Sequence, residues 1–270
     1  MELWAGPLGG GDLNEGPENN GNPVTTEAVV RAANLHSMGR ARLVVFTGAG
    51  VSAESGLRTF RDSDGLWEEY RIEEVATPEA WHRDPAKVLR FYDLRREQVL
   101  AAQPNAAHHA IASLQAHFEV EVVTQNIDDL HERAGTTRVL HLHGEVLKAR
   151  STVDPTLVVP LNRPSLALGD RCPLGSQLRP HIVWFGEEVP LIPEAAALIA
   201  QADHLIVVGT SLAVYPAAGL IHYLPRSAPM YLIDPNDVEV ARGGTHHIKE
   251  KASVGMPALA SSLIAQLSGR

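Results

Sequence analysis

Three short stretches of the chain carry residue types that can do chemistry. In HLHGE, His141 and His143 stand two apart, and on a strand that spacing turns both imidazoles to one face. Such a pair can hold a metal, but no third ligand lies at a recognisable spacing, and Glu145 reads equally as a solvated acid. His143, beside Gly144, reads better as a general base, because imidazole titrates near neutral pH. His141 reads as a core histidine. In TQNIDDLHERAG, residues 124–135, Gln125, Asn126 and Asp128 offer amides and a carboxylate suited to ribose hydroxyls and a carboxamide. Asp128 serves equally well as a helix cap, whereas no comparable local job is evident for Asn126. In GAGVSAESG, residues 48–56, Gly48 and Gly50 let a backbone approach a pyrophosphate, and the start of a following helix favours an anion. Glycine loops after strands are also often plain tight turns.

These residues need elements to hold them. The apolar run at residues 43–46, ending in glycines, predicts a buried parallel strand feeding a loop. FEVEVVTQN, RVLHLHG, HLIVVGTS and MYLIDPN repeat the pattern, with helical stretches such as NAAHHAIASLQAH and EAAALIAQA between. The alternation predicts an α/β fold: a doubly wound parallel, Rossmann-like sheet. Polar groups then gather beyond the carboxyl ends of its strands, where such sheets bind ligands: residues 48–50, 125–128, His143, 209–211 and 234–236. A hydride-transfer enzyme would place an acid after a second strand about 20 residues on. Here LRTFRDSDGLWEEY follows, polar and helical in pattern, so a dinucleotide is favoured and hydride transfer is not. Residues 63–104, which read as helices, and 150–178, loop-like and rich in proline, are expected to form a smaller inserted lobe. TTEAVVRAANLHSM predicts an opening helix, with Thr25 or Thr26 as its cap. Residues 1–24 read as a flexible tail, and residues 25–270 as the functional domain.

Composition narrows the classes. The 270 residues carry 23 basic and 32 acidic side chains, a net charge of −9, which disfavours sustained binding to nucleic acid. No stretch is apolar for long enough to cross a bilayer, and the N-terminus lacks a secretory pattern. Cys172 is the single cysteine, excluding an intrachain disulfide and any zinc site built on two or more thiolates. A cytoplasmic protein acting on small molecules or proteins is expected.

GAGVSAESG followed by TFRD, then TQNIDDLHERAG, HGE, LRPHIVWFGE and VGTSLAVYPAAG, together resemble the sirtuin family of NAD-dependent protein lysine deacylases, in order over nearly the whole chain beyond the tail. ATPEAW and FYDLRR make the chain most similar to the class III branch, which includes bacterial deacylases and the mitochondrial desuccinylase. The resemblance implies that a lysine acyl oxygen attacks the nicotinamide ribose of NAD, releasing nicotinamide and finally O-acyl-ADP-ribose. It implies His143 as the base that deprotonates a ribose hydroxyl, with Asn126 and Asp128 lining the nicotinamide and ribose pocket. Phe60 and Arg61 would belong to a cofactor loop. Gly48, Ala49, Gly50, Gln125, Gly209, Thr210 and Ser211 would hold phosphate and ribose groups. The substrate would be an acylated lysine protein or peptide, added as a strand between residues 183–187 and 213–215. Val183, Trp184, Phe185 and Gly186 would border the acyl-lysine tunnel.

Ala76, in this branch, leaves room for a longer acyl chain. Tyr92 and Arg95, at i and i+3 of a helix, would reach one carboxylate on a succinyl or malonyl group. The same spacing on a surface helix would leave the arginine solvated. Two departures stand out. Family members commonly bind zinc through two cysteine pairs, and the matching positions here are Ser151 with Asp154 and Cys172 with Gly175, so no zinc is expected. Asp234 replaces the usual asparagine near the adenosine ribose, where an acid can accept both hydroxyls and repel a 2′-phosphate. Rival readings are a metal-dependent hydrolase built on His141 and His143, and a non-enzymatic NAD or ADP-ribose sensor.

Overall fold

The computed structural model describes residues 39–57, 70–240 and 242–268, together with the backbone of Leu66–Trp67. The expected tail and opening helix, as well as Phe60 and Arg61, lie outside the described residues. In chain order the strands are β1 (Arg42–Thr47), β2 (Leu66–Trp67), β3 (Tyr70–Arg71), β4 (Glu119–Thr124), β5 (Val139–His141), β6 (Gly144–Ser151), β7 (Val158–Pro160), β8 (Leu178–Ile182), β9 (His204–Val208), β10 (Met230–Ile233) and β11 (Thr245–Ile248). The helices are α1 (Gly50–Ala53), α2 (Ile72–Val75), α3 (Pro78–Arg83), α4 (Pro85–Ala101), α5 (Ala106–Ser113), α6 (Leu130–Arg133), α7 (Ile192–Ala200) and α8 (Ala252–Ser268).

β1 shows why its sequence is apolar without alternation. Leu43 and Val45 pack with residues of α5 and α8 on one face of the sheet, while Val44 and Phe46 pack with α7 and Ala217–Tyr223 on the other. A strand covered on both faces needs no polar side. Six parallel strands form this sheet in the order β11-β10-β9-β1-β4-β5. The chain steps outward from β1 through β4 to β5, returns to the far side of β1 as β9, and steps outward again. This is the Rossmann order, and its crevice opens where the halves diverge, between β1 and β9. The loops there cross closely. Gly209 has φ +61°, and a Cβ on it would lie 2.3 Å from the Val51 nitrogen, so only glycine fits.

Two main-sheet elements were not evident in the sequence. β11, THHI, has one strongly apolar residue and buries none of its four positions, as an edge strand can. α8 contains Pro257, which argues locally against a helix, but Met256, Leu259, Ala260 and Leu263 bury against the sheet. No described helix is long and apolar enough to cross a membrane.

The lobe departs from the expected pattern in two places. The stretch after the first glycine loop was expected to be helical, yet β2 and β3 pair there as a short antiparallel ladder. The proline-rich stretch is partly sheet, since β6 pairs antiparallel with both β7 and β8. The helices follow from local chemistry. Thr77 accepts from the Ala80 N–H at 3.1 Å and Asp84 from the Lys87 N–H at 3.0 Å, each just before a proline that starts a helix. α4 buries Val88, Leu89, Phe91, Tyr92, Arg95, Arg96 and Val99. Arg96 reaches the carbonyls of Val146 (2.9 Å) and Pro164 (2.8 Å) and the Asp93 carboxylate (2.6 Å), fastening α4 to the lobe sheet.

Candidate active site

The predicted site residues line up along the carboxyl edge of the sheet in strand order: Asp234 after β10, Gly209, Thr210 and Ser211 after β9, Gly48, Ala49 and Gly50 after β1, Gln125, Asn126 and Asp128 after β4, and His143 after β5. Neighbouring strands are about 4.8 Å apart, so the row is long enough for an extended ligand. Gln125 crosses β1 to donate to the Thr210 hydroxyl at 3.1 Å, tying both sides of the crevice together.

Packing also demands the glycines of the first loop. A Cβ on Gly48 would lie 2.7 Å from Thr210 Cβ, and one on Gly50 would lie 2.7 Å from Gly209 Cα. The missing side chains are thus required first for the two loops to pass each other. α1 is a four-residue turn, too short to act as a helix dipole, and any anion there must be met by individual N–H groups. Asp234 is buried, and its Oδ1 accepts from the backbone N–H (2.9 Å) and side-chain amide (3.1 Å) of Asn236. Part of the carboxylate expected for ribose is already engaged.

The two histidines do not share a face. β5 ends at His141, and His143 lies in the turn that follows. This removes the geometric basis for a two-histidine metal site. His143 Nδ1 lies 3.0 Å from the Gln125 carbonyl, and a carbonyl only accepts. The proton therefore sits on Nδ1, leaving the Nε2 lone pair as a base. Burial pushes the His143 pKa below 6.5, against the opposing hydrogen bond to Gln125. Buried His141 is the reverse case: Nδ1 donates to the Asn126 carbonyl (3.0 Å) and Nε2 to Glu132 (2.8 Å). Burial opposes its charge, but these acceptors win and raise its pKa above 6.5. The fold does bring Glu132, His141 and Glu145 within 4.8 Å of one another, a juxtaposition hidden from the sequence. Glu145 is paired with Lys148, and Glu132 with His141.

Asn126 and Asp128 are buried and meet at Ser52, a residue that nothing in the sequence singles out. Asn126 Nδ2 donates to Ser52 Oγ at 3.1 Å, and the Ser52 hydroxyl bonds to Asp128. His108, whose Nδ1 accepts from the Asn105 N–H at 3.2 Å, adds a longer contact from Nε2 to Ser52 at 3.4 Å. Burial pushes the Asp128 pKa upward, opposed by the Leu130 N–H and Ser52. That Leu130 contact, at 3.2 Å, is the local capping bond, so Asp128 serves a turn and the site together. Burial holds His108 down to about 4. His131, fully buried, donates to Thr47 at 3.1 Å and is held well below 6.5 by desolvation.

Beside this row lies the segment carrying Val183, Trp184, Phe185 and Gly186. Most of its backbone N–H groups are engaged within the protein. The N–H groups of Val183, Phe185 and Glu187 go to the carbonyls of His143 (2.9 Å), Ala76 (3.0 Å) and Trp184 (3.0 Å). That of Trp184 goes to the Glu187 carboxylate at 2.8 Å. Phe185, Val214 and Tyr215 are exposed nearby in sequence to these loops. Ala76, Tyr92 and Trp184 share one apolar cluster. Arg95 is not a solvated surface residue: it is 4% exposed and donates to Gln98 at 2.8 Å.

The residues at the zinc positions do not suit that metal. Ser151 Oγ accepts from the N–H groups of Val153 and Asp154, both at 3.2 Å, and bonds to Ser176 Oγ at 2.8 Å. Asp154 Oδ1 is taken by Thr156. Cys172 supplies the one thiol, 3.1 Å from Ser176 Oγ and 3.5 Å from Ser151 Oγ. These hydroxyls hold its pKa down, to about 7. Hydroxyl groups already bonded to each other and to backbone cannot complete a tetrahedral thiolate site.

A family model described as the Sir2 family matches residues 48–216. A Bacteroides thetaiotaomicron protein called NAD-dependent protein deacylase is 50% identical over 228 residues, covering 82% of this chain and 97% of its own. A Helicobacter pylori protein of the same name is 56% identical over 193 residues, covering 72% and 84%. Among solved structures, a mutant Sir2 homologue in complex with ADP-ribose has a TM-score of 0.78 at 39% identity, covering 86% of this chain and 95% of that one. A Sir2 homologue in complex with NAD has a TM-score of 0.76 at 37% identity, covering 93% and 98%.

Two measurements check this geometry. In an NMR titration of the imidazole groups, His143 is expected to lose its proton below pH 6.5 and His141 above it; the reverse order would refute the bonding described. The purified protein is expected to carry no stoichiometric zinc and to melt at the same temperature in strong chelator. Stoichiometric zinc by elemental analysis would overturn the reading of the Ser151 and Cys172 cluster.

Proposed function

The chain belongs to the Sir2 family and is an NAD-dependent protein deacylase, and from that premise we propose that it removes succinyl and malonyl as well as acetyl groups from protein lysines, with His143 as its general base. The observation that carries the acyl preference is the burial of Tyr92 and Arg95 on one stripe of α4, in the lobe that also holds Ala76 and Trp184. A guanidinium in a largely dry setting favours a carboxylate partner over a methyl group.

NAD supplies the ADP-ribose that accepts the acyl group. Gly48, Ala49, Gly50, Gln125, Gly209, Thr210, Ser211 and Asp234 would hold it along the sheet edge, with Phe60 and Arg61 contributing from outside the described residues. Asn126 and Asp128, anchored on Ser52, would fix the nicotinamide and ribose end. His143 would take a ribose hydroxyl proton on Nε2, and its depressed pKa keeps that atom unprotonated at neutral pH. An acyl-lysine peptide would enter past Val183, Trp184, Phe185 and Gly186. A cytoplasmic location without nucleic-acid or membrane partners completes the reading, in keeping with the single cysteine and the net charge of −9.

The test is mass spectrometry of acetyl, malonyl, succinyl and glutaryl peptides incubated with protein and NAD. Release of nicotinamide and loss of the succinyl and malonyl marks are expected. His143→Ala should lower turnover about 100- to 10,000-fold while NAD binding, followed by calorimetry, stays nearly intact; more than a tenth of parental turnover in a folded variant would sink the assignment. Arg95→Met should depress desuccinylation about 10- to 150-fold, the value of roughly 1.5–3 kcal/mol for a charged hydrogen bond, and far more than deacetylation. Equal losses on both substrates would refute the clamp.

A further inference from the structure

We propose that Trp184 is a specificity-determining residue for carboxylate-bearing acyl groups, acting through Tyr92 by fixing which way the phenol proton points; this rests on the clamp reading above. The Trp184 indole N–H lies 3.0 Å from the Tyr92 hydroxyl oxygen. An indole nitrogen only donates, so this contact has one polarity. The phenol oxygen is the acceptor, and its own hydrogen must go to a different acceptor. Burial pushes the Tyr92 pKa upward, so that hydrogen stays in place at neutral pH. With the phenol oxygen taken as an acceptor, Tyr92 keeps its O–H free to donate elsewhere, and Arg95 follows three residues along the same buried stripe of α4. A donor next to a cation is the arrangement that a carboxylate completes, and a methyl group offers it nothing.

The indole is itself held in place. The Arg179 guanidinium lies 3.3 Å over the Trp184 ring. It grips Glu187 through Nη1 (2.7 Å) and Nη2 (3.1 Å), and Glu187 in turn accepts the Trp184 backbone N–H at 2.8 Å. Arg179 and Glu187 are thus positioning residues, locking the ring and main chain of Trp184 together so that its N–H stays on Tyr92.

The experiment is a double-mutant cycle on the full-length protein. kcat/KM is measured for succinyl-lysine and acetyl-lysine peptides of one sequence at saturating NAD, for the parent, Trp184→Phe, Tyr92→Phe and the double variant. Phenylalanine keeps a ring under Arg179 and removes only the donor and some bulk. The succinyl-to-acetyl ratio is expected to fall about tenfold in each single variant, and no further in the double. If the smaller ring unfolds the lobe, 3-benzothienylalanine at position 184, which replaces the N–H by sulfur at nearly the same size, provides the same readout. A parental ratio in the Trp184 variant, or losses that multiply in the double, would overturn this inference alone. A parent that removes no succinyl group overturns the clamp and the inference with it.

Discussion

Gly144 occupies the point where the parallel sheet hands the chain to the antiparallel lobe. Its φ is +81°, and a Cβ there would lie 2.0 Å from the His181 carbonyl oxygen. Because there is no side chain, β8 can close against the start of β6, pairing Gly144 with Ile182. The next N–H, that of Val183, then falls on the His143 carbonyl. His143 and the segment that begins at Val183 are consequently spliced by one backbone hydrogen bond. The Phe185 bond to Ala76 extends the splice to the start of the lobe helices. Shifting any of these pieces would move the others.

Desolvation disfavours charge on two histidines that are almost adjacent in the chain, yet their net shifts are opposite. Both lie against consecutive carbonyls, Gln125 for His143 and Asn126 for His141. The difference is the second ring nitrogen: Glu132 meets that of His141, which favours the imidazolium and raises its pKa. His143 has one engaged nitrogen, and burial keeps it neutral and basic. The same economy governs Asn126 and Asp128. Burying an amide and a carboxyl is costly unless they are bonded, and Ser52 serves both, with its hydroxyl accepting from one and bonding to the other.

The lobe lacks a metal-binding cysteine set. A structural zinc would contribute on the order of 10 kcal/mol or more, whereas each hydrogen bond in the Ser151, Ser176 and Cys172 cluster contributes about 1 kcal/mol. Those bonds set local geometry but cannot replace a metal in energy. The larger stabilisation comes from apolar burial: Leu89, Ala149, Leu166, Cys172 and Leu178 in one cluster, and Val88, Phe91, Tyr92, Ile182 and Trp184 in another. Arg96, fully buried and bonded to the carbonyls of Val146 and Pro164, joins helix to sheet.

What the sequence determined by itself is what depends on near neighbours. Short, largely apolar runs ending in glycine or asparagine marked five of the six main strands, because a strand covered on both faces has little room for polar side chains. Thr77–Pro78 and Asp84–Pro85 encode helix starts, since cap and proline act within three residues. Motif order was enough to show the family and the position of His143 at a strand end. Other features depend on atoms far apart in the chain and were decided by tertiary structure alone. β11 is too polar to announce itself and exists because β10 offers it an edge. The Ser52 hub joins residues 74 apart, and the bond from Trp184 to Tyr92 spans 92, so no spacing rule could reveal either. The reading of His141 and His143 as one face failed for a related reason: period-two alternation holds only while the strand continues, and Gly144 turns the chain to meet β8, a partner more than thirty residues away.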